Sequence, residues 1–345
     1  MTVAVETQRH SRWSALPRRA LPLLQLGTRR LRGQRSPFQM TLSLTNRCNF
    51  RCDYCHIPLE LRDELTTREW CQAIDELHAG GMQRVSIMGG EPLLRDDAGE
   101  IIQYLKRLGL HASVNTNGWF VEERLEELKG LDLACITLDG PPEIHDGQRR
   151  KGSYERVLRA IEALQRSGVT VVTMTVVTSR GAETVEHVLD VARRFDISAF
   201  FQIEHDAGMD VQLPVGARFT NAGIVHLAQR LLELKDAGHP VGNSRSALLA
   251  QMDRGRYLST CDDCQAGSYF GYVLSDGTVA PCLLTQRQVE QGNGRKYGFL
   301  RAFQEASSPA GPGCSCVPSY EVNRMLALDP SVLWNALGTA LRRSV

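Results

Sequence analysis

The sequence predicts an α/β chain: a partial (β/α)6 TIM-like barrel followed by a small cysteine-rich extension containing a β-hairpin and helices. Three observations predict it. Between residues 40 and 204, six apolar runs of strand length alternate with segments of helical period, the signature of βα units and a parallel sheet. A cysteine motif and a glycine motif directly follow the first two of those runs, and in barrels the chemistry gathers at the C-terminal ends of the strands. A further group of cysteines falls after residue 257, beyond the last βα repeat.

In chain order, residues 1 to 38 form a basic arm with eight arginines against one glutamate, mixing Arg18, Arg19, Arg29, Arg30, Arg32 and Arg35 with Leu21, Leu23, Leu24 and Leu26. Such a segment suits an anionic membrane surface or an acidic partner, and equally a helix covering the open side of the barrel or a disordered leader. The barrel is expected over residues 39 to 204, with strands at Met40 to Leu44, Arg84 to Met88, His111 to Asn115, Leu133 to Leu138, Thr170 to Val177 and Ala199 to Ile203. Between them Trp70, Ala73, Ile74 and Leu77 lie at i, i+3, i+4 and i+7, as do Tyr154, Val157, Leu158 and Ile161. Val185, Val188, Leu189 and Ala192 repeat the apolar face. The helix from Ser153 to Gln165 is expected to be capped by Ser153. Residues 205 to 256 read as a connector with helices near Ala222 to Lys235 and Ser244 to Arg254. The extension occupies residues 257 to 319, and the tail from residue 320 to Leu341 reads as helical, with Leu326, Leu333, Trp334 and Leu337 available to pack.

Composition narrows the class. At 345 residues with 42% hydrophobic and 23% charged, the chain can bury one large core or two ordinary ones. No stretch is long enough to cross a membrane. Ala20 to Leu26 is short and contains Pro22, and no small-residue cleavage pattern follows it, so no signal peptide is expected. Ten cysteines grouped as C-x3-C-x2-C, C-x2-C and C-x-C read as metal ligation rather than disulfides. That places the chain in a reducing, cytoplasmic compartment, with peripheral membrane contact left open by the arm. Without the arm the body carries 32 basic and 38 acidic residues. With no series of stacking aromatics either, nucleic acid is not an expected partner.

The chemistry centres on Cys48, Cys52 and Cys55, just after the first strand. Three thiolates at this spacing can ligate three irons of a [4Fe-4S] cluster and leave the fourth without a protein ligand. The same cysteines with His56 could instead form a Cys3His zinc site. Gly89-Gly90-Glu91-Pro92 follows the second strand. Its glycines let a backbone approach a ligand where a Cβ would intrude, and Glu91 can accept from an ammonium group.

With Leu44-Thr45-Asn46-Arg47 ahead of the first cysteine, these motifs resemble the radical S-adenosylmethionine (SAM) superfamily over about residues 40 to 204. The resemblance implies that Cys48, Cys52 and Cys55 hold a [4Fe-4S] cluster whose open iron is chelated by the SAM amino and carboxylate groups. Gly89, Gly90, Glu91 and Pro92 then correspond to the segment that holds the SAM amino group. Tyr54 stands where the family places an aromatic residue near the adenine, or is a packing residue. Asn115-Thr116-Asn117-Gly118 and Leu138-Asp139-Gly140 resemble the family's TNG and DG segments, implying Thr116, Asn117 and Asp139 as SAM or active-site contacts. Asp139, His145, Arg149 and Gly152 follow a recurrent loop of the family, whose other reading is a structured turn. His56 takes no assigned role.

Downstream, Cys261, Cys264, Cys282, Cys314 and Cys316, with Ser275-Asp276-Gly277 as a hairpin turn, resemble the SPASM and twitch extensions of radical SAM enzymes. Four of the five could complete an auxiliary [4Fe-4S] cluster. A full SPASM domain carries a further C-x2-C-x5-C-x3-C run that this chain lacks, so one auxiliary cluster is expected, with a zinc ribbon as the alternative. Gln202, Glu204 and His205 end the sixth strand, where a substrate would sit or a proton move. Cys71 and Cys135 remain, as small buried hydrophobes or, for Cys135 above all, a hydrogen-atom donor.

The activity implied is reductive cleavage of SAM to a 5′-deoxyadenosyl radical that abstracts hydrogen from a substrate carbon, with an electron donor such as flavodoxin or ferredoxin as partner. The substrate expected is a natural-product, cofactor-derived or lipid-linked small molecule, since no peptide-leader recognition module is expected before residue 40. The alternatives are a maturase acting on a ribosomally made peptide or protein and, in another class, a non-catalytic iron-sulfur or zinc binding protein or redox sensor.

Overall fold

The computed structural model describes residues 21–179, 183–203, 219–253, 264–282, 292–306, 317–327, 329 and 332. The elements are α1 (Leu21–Leu31), β1 (Gln39–Ser43), α2 (Thr67–Ala79), β2 (Arg84–Met88), α3 (Ala98–Arg107), β3 (His111–Thr116), α4 (Leu125–Leu128) and β4 (Leu133–Thr137). There follow α5 (Pro142–Gln148), α6 (Ser153–Arg166), β5 (Thr170–Val177), α7 (Thr184–Arg194), β6 (Ser198–Ile203), α8 (Asn221–Asp236) and α9 (Arg245–Met252). The C-terminal part holds β7 (Phe270–Val273), β8 (Thr278–Ala280), β9 (Gly292–Asn293), α10 (Gly294–Tyr297), α11 (Phe299–Glu305) and α12 (Val317–Leu326).

Strands β1 to β6 pair in chain order, all parallel, as expected of a partial (β/α)6 barrel, and each strand lies within a residue of its expected bounds. Alternation along the strands makes the two faces. Val85, Ile87, Ala112, Val114, Ala134 and Ile136 join Trp70, Ile74, Ile101 and Ile161 in one apolar core beneath the helices. Ser86, Asn115, Thr137, Met174 and Phe200 fall on the alternate, less buried positions. The helix starts are set by local chemistry. Thr66 and Glu69 form a reciprocal capping box on α2, and Thr220 and Ser244 cap α8 and α9 by accepting from Gly223 N and Ala247 N.

Helix α6 corrects an expectation. Ser153 is its first residue, not its cap; the cap position is Gly152 at φ +80°. The Asp146 carboxylate does the capping work, accepting from Gly152 N, Tyr154 N and Ser153 Oγ. An acceptor brought in from α5 thus replaces the local hydroxyl.

The second departure concerns the hairpin. Its turn is as expected, with Gly277 at φ +86° and Thr278 N donating to Asp276 Oδ1 at 3.0 Å. But β7 pairs in parallel with β1, so the described sheet runs β6-β5-β4-β3-β2-β1-β7-β8-β9. Helix α1 lies against the same region, with Leu26 buried beside Phe38, Phe270 and Leu326. Three of the arm's arginines bond the protein's own carbonyls: Arg29 donates to Gly80 O, Arg30 to Leu326 O at 2.8 Å, and Arg35 to Gln304 O and Ala306 O. Of the tail, α12 ends at Leu326; Leu333, Trp334 and Leu337 lie outside the described residues. No described helix is long and apolar enough to cross a membrane.

Candidate active site

The cysteine loop leaves the C-terminal end of β1 and is fastened before the first cysteine. Gly90 N donates to Thr45 O at 2.7 Å and Glu91 N to Arg47 O at 2.9 Å. A Cβ at Gly89 would collide with Thr45 O, and one at Gly90 with Arg47 O. The close approach that these glycines permit in this structure is therefore that of the chain's own Thr45–Arg47 backbone. Arg95, 6% exposed, clamps the same region: it donates to Leu44 O and Leu65 O and pairs with Asp97 at 2.7 Å and Glu64 at 3.2 Å. Sequence reasoning missed Arg95, whose only signal was a basic residue three positions beyond the GGEP proline. The hairpin turn is tied in as well, through Ser275 Oγ to Asn46 Oδ1 at 3.1 Å and Arg62 to Asp276 at 2.7 Å.

Glu91 is completely buried. Oε1 accepts from Thr116 Oγ1 at 2.8 Å and Leu93 N at 3.0 Å, and Oε2 accepts from Asn117 N at 2.8 Å. Burial pushes its carboxyl up to about 6, against the opposing pull of these donors. Pro92 opens the short 3-10 turn Pro92–Leu94 that Glu91 caps. Asn117 then reaches the cysteine loop, donating to Asn49 Oδ1 at 2.8 Å with Cys48 Sγ at 4.0 Å. The motif residues Glu91, Thr116 and Asn117 thus form one polar node beside Cys48, and the sequence-predicted cofactor contacts bond first to one another.

The three cysteines are partly buried and act electrostatically on one another. Burial raises each thiol above its ordinary value, while the Arg149 charge pulls all three down. Phe50 N donates to Cys48 Sγ at 3.4 Å, and the Ile57 backbone N–H serves Cys55 in the same way. Such donors and a nearby cation stabilise thiolates, so the donor set fits an iron-sulfur cluster. Among the described residues no three candidate ligands are drawn together tightly enough to hold a metal ion. His56 contributes its carbonyl to Leu59 N.

The Asp139 loop is a structured turn. Asp139 Oδ1 accepts from Val176 N, and Oδ2 from Tyr54 Oη at 2.6 Å and Arg149 Nε at 2.5 Å. His145 Nδ1 accepts from Asp139 N at 3.0 Å, and burial holds the imidazole down near about 4, hence neutral. Tyr54 therefore has its hydroxyl committed to this turn. Gln202 holds α12 by accepting from Val317 N at 2.8 Å, and Glu204 and His205 lie outside the described residues. Cys135, opposite Asn115 in register, is pushed up to about 12 by burial, and Cys71 is partly buried on α2. Of the downstream group, Cys282 is buried and Cys264 packs against the same cluster with Phe270 and Tyr272. Extending the β7–β8 register sets Cys282 level with Phe270, which bridges Ala266, so both cysteines stand at the open end of the hairpin. Cys261, Cys314 and Cys316 lie outside the described residues.

Residues 42–194 match the family described as the Radical SAM superfamily. The chain is 28% identical to a probable GTP 3′,8-cyclase of Methanocella arvoryzae, over 71% of this chain and 81% of that one. It is 25% identical to the sporulation killing factor maturation protein SkfB of Bacillus subtilis, over 72% of this chain and 60% of that one. Among solved structures, Streptococcus suis SuiB bound to S-adenosylmethionine superposes with a TM-score of 0.66 at 14% identity, covering 85% of this chain and 72% of that one.

Proposed function

We propose, from the premise that the chain belongs to the radical SAM superfamily, that it is an enzyme of small-molecule biosynthesis acting at the rim of β1 to β4. The family uses a [4Fe-4S] cluster and SAM, and when bound these supply a carbon-centred radical that removes hydrogen from an unactivated carbon. The observation that carries the assignment is the junction of motifs at Cys48: Asn117, Asn49 and the Phe50 N–H surround it, and Glu91 ties the second motif to the third.

In this reading Cys48, Cys52 and Cys55 hold the cluster, Gly89, Gly90, Glu91 and Pro92 carry the SAM amino group, and Thr116, Asn117 and Asp139 order the surrounding rim. Cys264 and Cys282, with partners among Cys261, Cys314 and Cys316, hold one auxiliary cluster. The substrate sits over the less buried face of the sheet, near Thr137, Met174 and Phe200, and an electron donor such as flavodoxin or ferredoxin reduces the cluster. Support for a small molecule is the extent of the match to a GTP 3′,8-cyclase, 81% of that protein. The lipid-linked variant loses support, because Arg29, Arg30 and Arg35 are engaged internally. A second reading, a peptide maturase, is favoured by the likeness to SkfB and by the cysteine-bearing hairpin joined to β1. The test is anaerobic reconstitution with iron and sulfide, reduction with SAM, and transfer of deuterium from labelled nucleotide-derived or peptide candidates into 5′-deoxyadenosine. Label arriving from a nucleotide-derived compound supports the first reading. Label arriving only from a peptide selects the second, and no 5′-deoxyadenosine at all contradicts both.

A further inference from the structure

Arg29 and Arg32 lie a turn apart at the C-terminal end of α1, and Arg35 follows three residues on. All three line a cleft of about 900 Å³ between α1, the turn after α2 and α11. The lining also holds His78, and among the described residues it includes no carboxylate and no Phe, Tyr or Trp. Arg29 has a fitted seat there. Its Nη1 donates to Gly80 O and to Ser36 Oγ at 3.0 Å, and Gly81, at φ +108°, leaves room where a Cβ would collide with the guanidinium. Arg35 Nη1 donates to Gln304 O at 2.9 Å and to Ala306 O at 2.7 Å. Arg32 is exposed and bonds no described residue.

A carbonyl fixes a guanidinium without neutralising it. Arginines elsewhere on the fold meet carboxylates, as Arg95 meets Asp97 and Arg295 meets Asp63. None of these three does among the described residues. Like charges gathered around one cleft repel each other, and an anion held between them relieves that repulsion. Guanidinium forks match the paired oxygens of phosphates and carboxylates. Two features favour phosphate on a small molecule. An acidic protein segment would need aromatic or apolar anchors, and Leu300 is the only large apolar side chain in the lining among the described residues. The cleft also has the volume of a small-molecule site, more than a single simple ion fills.

We propose that this cleft binds a soluble polyphosphate, the chain of linked phosphates that a nucleotide or a free polyphosphate carries, with Arg29, Arg32 and Arg35 as its receptor. The cleft is not part of the catalytic rim. Gly80 and Gly81 precede β2, and Gly89-Gly90-Glu91 follows it. The five residues of that strand, about 16 Å of rise, separate the two ends. The ligand therefore acts as an effector rather than as the reactant at Cys48. Its lever is α1, which through Leu26 joins the apolar cluster that includes Cys282. Binding here needs no cluster at Cys48, so it succeeds or fails independently of the radical SAM reading.

The test titrates the full chain with sodium tripolyphosphate by isothermal calorimetry, at low and at physiological salt, with folding checked by circular dichroism. One saturable site is expected, with orthophosphate at least about tenfold weaker. Arg32→Ala, which breaks no bond to a described residue, should weaken tripolyphosphate by about tenfold or more, and Arg166→Ala should leave it unchanged. Amide exchange of residues 26 to 36 should slow when tripolyphosphate is added to the parent. A nucleoside triphosphate that binds tighter than tripolyphosphate would identify a nucleotide as the source, and equal binding a free polyphosphate; either supports the site if Arg32→Ala weakens it. Absence of saturable binding, or an Arg32→Ala affinity within about twofold of the parent, would overturn the proposal. So would Arg32-dependent binding of a glutamate-rich peptide, or of phosphatidylglycerol vesicles, that tripolyphosphate does not displace, since the occupant would then be an acidic protein or a membrane.

Discussion

Two cysteine-bearing regions meet at β1, and they are built on opposite principles. The loop of Cys48, Cys52 and Cys55 is organised by buried polar groups: Arg95 below it, Glu91 and Asn117 beside it, and Asp139 with Arg149 across from it. The hairpin that carries Cys264 and Cys282 is organised by packing, among Leu26, Phe38, Phe270, Tyr272 and Leu326. The difference teaches where each region is vulnerable. A hydrogen-bonded node fails when one partner is removed and another is left buried and unpaired, whereas an apolar cluster loses stability in proportion to the volume removed.

Substitutions on the two sides can break or sharpen that contrast. Phe270→Ala should cost the most, about 4 kcal/mol, with little dependence on pH, in denaturant melts of the apo protein. Arg95→Met should follow at about 3 kcal/mol, because Asp97, Glu64 and two buried carbonyls each lose a donor at once. A smaller loss from Arg95→Met than from a surface arginine such as Arg166 would mean that the clamp adds nothing.

Glu91→Gln comes next, at roughly 2 kcal/mol near neutral pH, since an amide cannot accept from Thr116, Leu93 N and Asn117 N at once. Glu91 also gives the polar side a pH signature. Its folded value of about 6 lies above the ordinary 4.5, so the folded chain binds the proton more tightly than the unfolded chain does. That contribution to stability is complete below about pH 4.5 and is lost as pH rises through about 6, roughly 2 kcal/mol in all. Melts across this window should slope for the parent and flatten for Glu91→Gln, with the Phe270→Ala slope matching the parent. Thr66→Ala, which removes the side-chain cap of α2, should cost only about 1 kcal/mol.

The barrel was legible because its signals are local and periodic. Trp70, Ala73, Ile74 and Leu77 announce a buried helix face by spacing alone, and all four are buried. The cysteine loop was legible because its three cysteines lie within eight consecutive residues at a spacing known for cluster ligation. What escaped depends on distant partners. Ser153 looked like a cap, yet Asp146 was the nearer acceptor once α5 folded back. The hairpin turn at Asp276-Gly277 could be read, but its parallel pairing to β1 joins residues more than two hundred positions apart. The arm read either as a surface for anions or as a helix covering the barrel, because charge and leucines show in a sequence while the Gly80, Leu326 and Ala306 carbonyls that accept from Arg29, Arg30 and Arg35 do not. Likewise nothing in the spacing of Tyr54 and Asp139 foretells that Arg149 bonds both.

The most direct measurement is to count iron and 5′-deoxyadenosine side by side in two reconstituted variants, Cys48→Ala/Cys52→Ala/Cys55→Ala and Cys264→Ala/Cys282→Ala, against the parent. The first is expected to make no 5′-deoxyadenosine yet keep the iron of one auxiliary cluster, and the second to cleave SAM still while losing that iron. Cleavage of SAM by the first variant, or a parent that binds iron and cleaves none, would contradict that expectation.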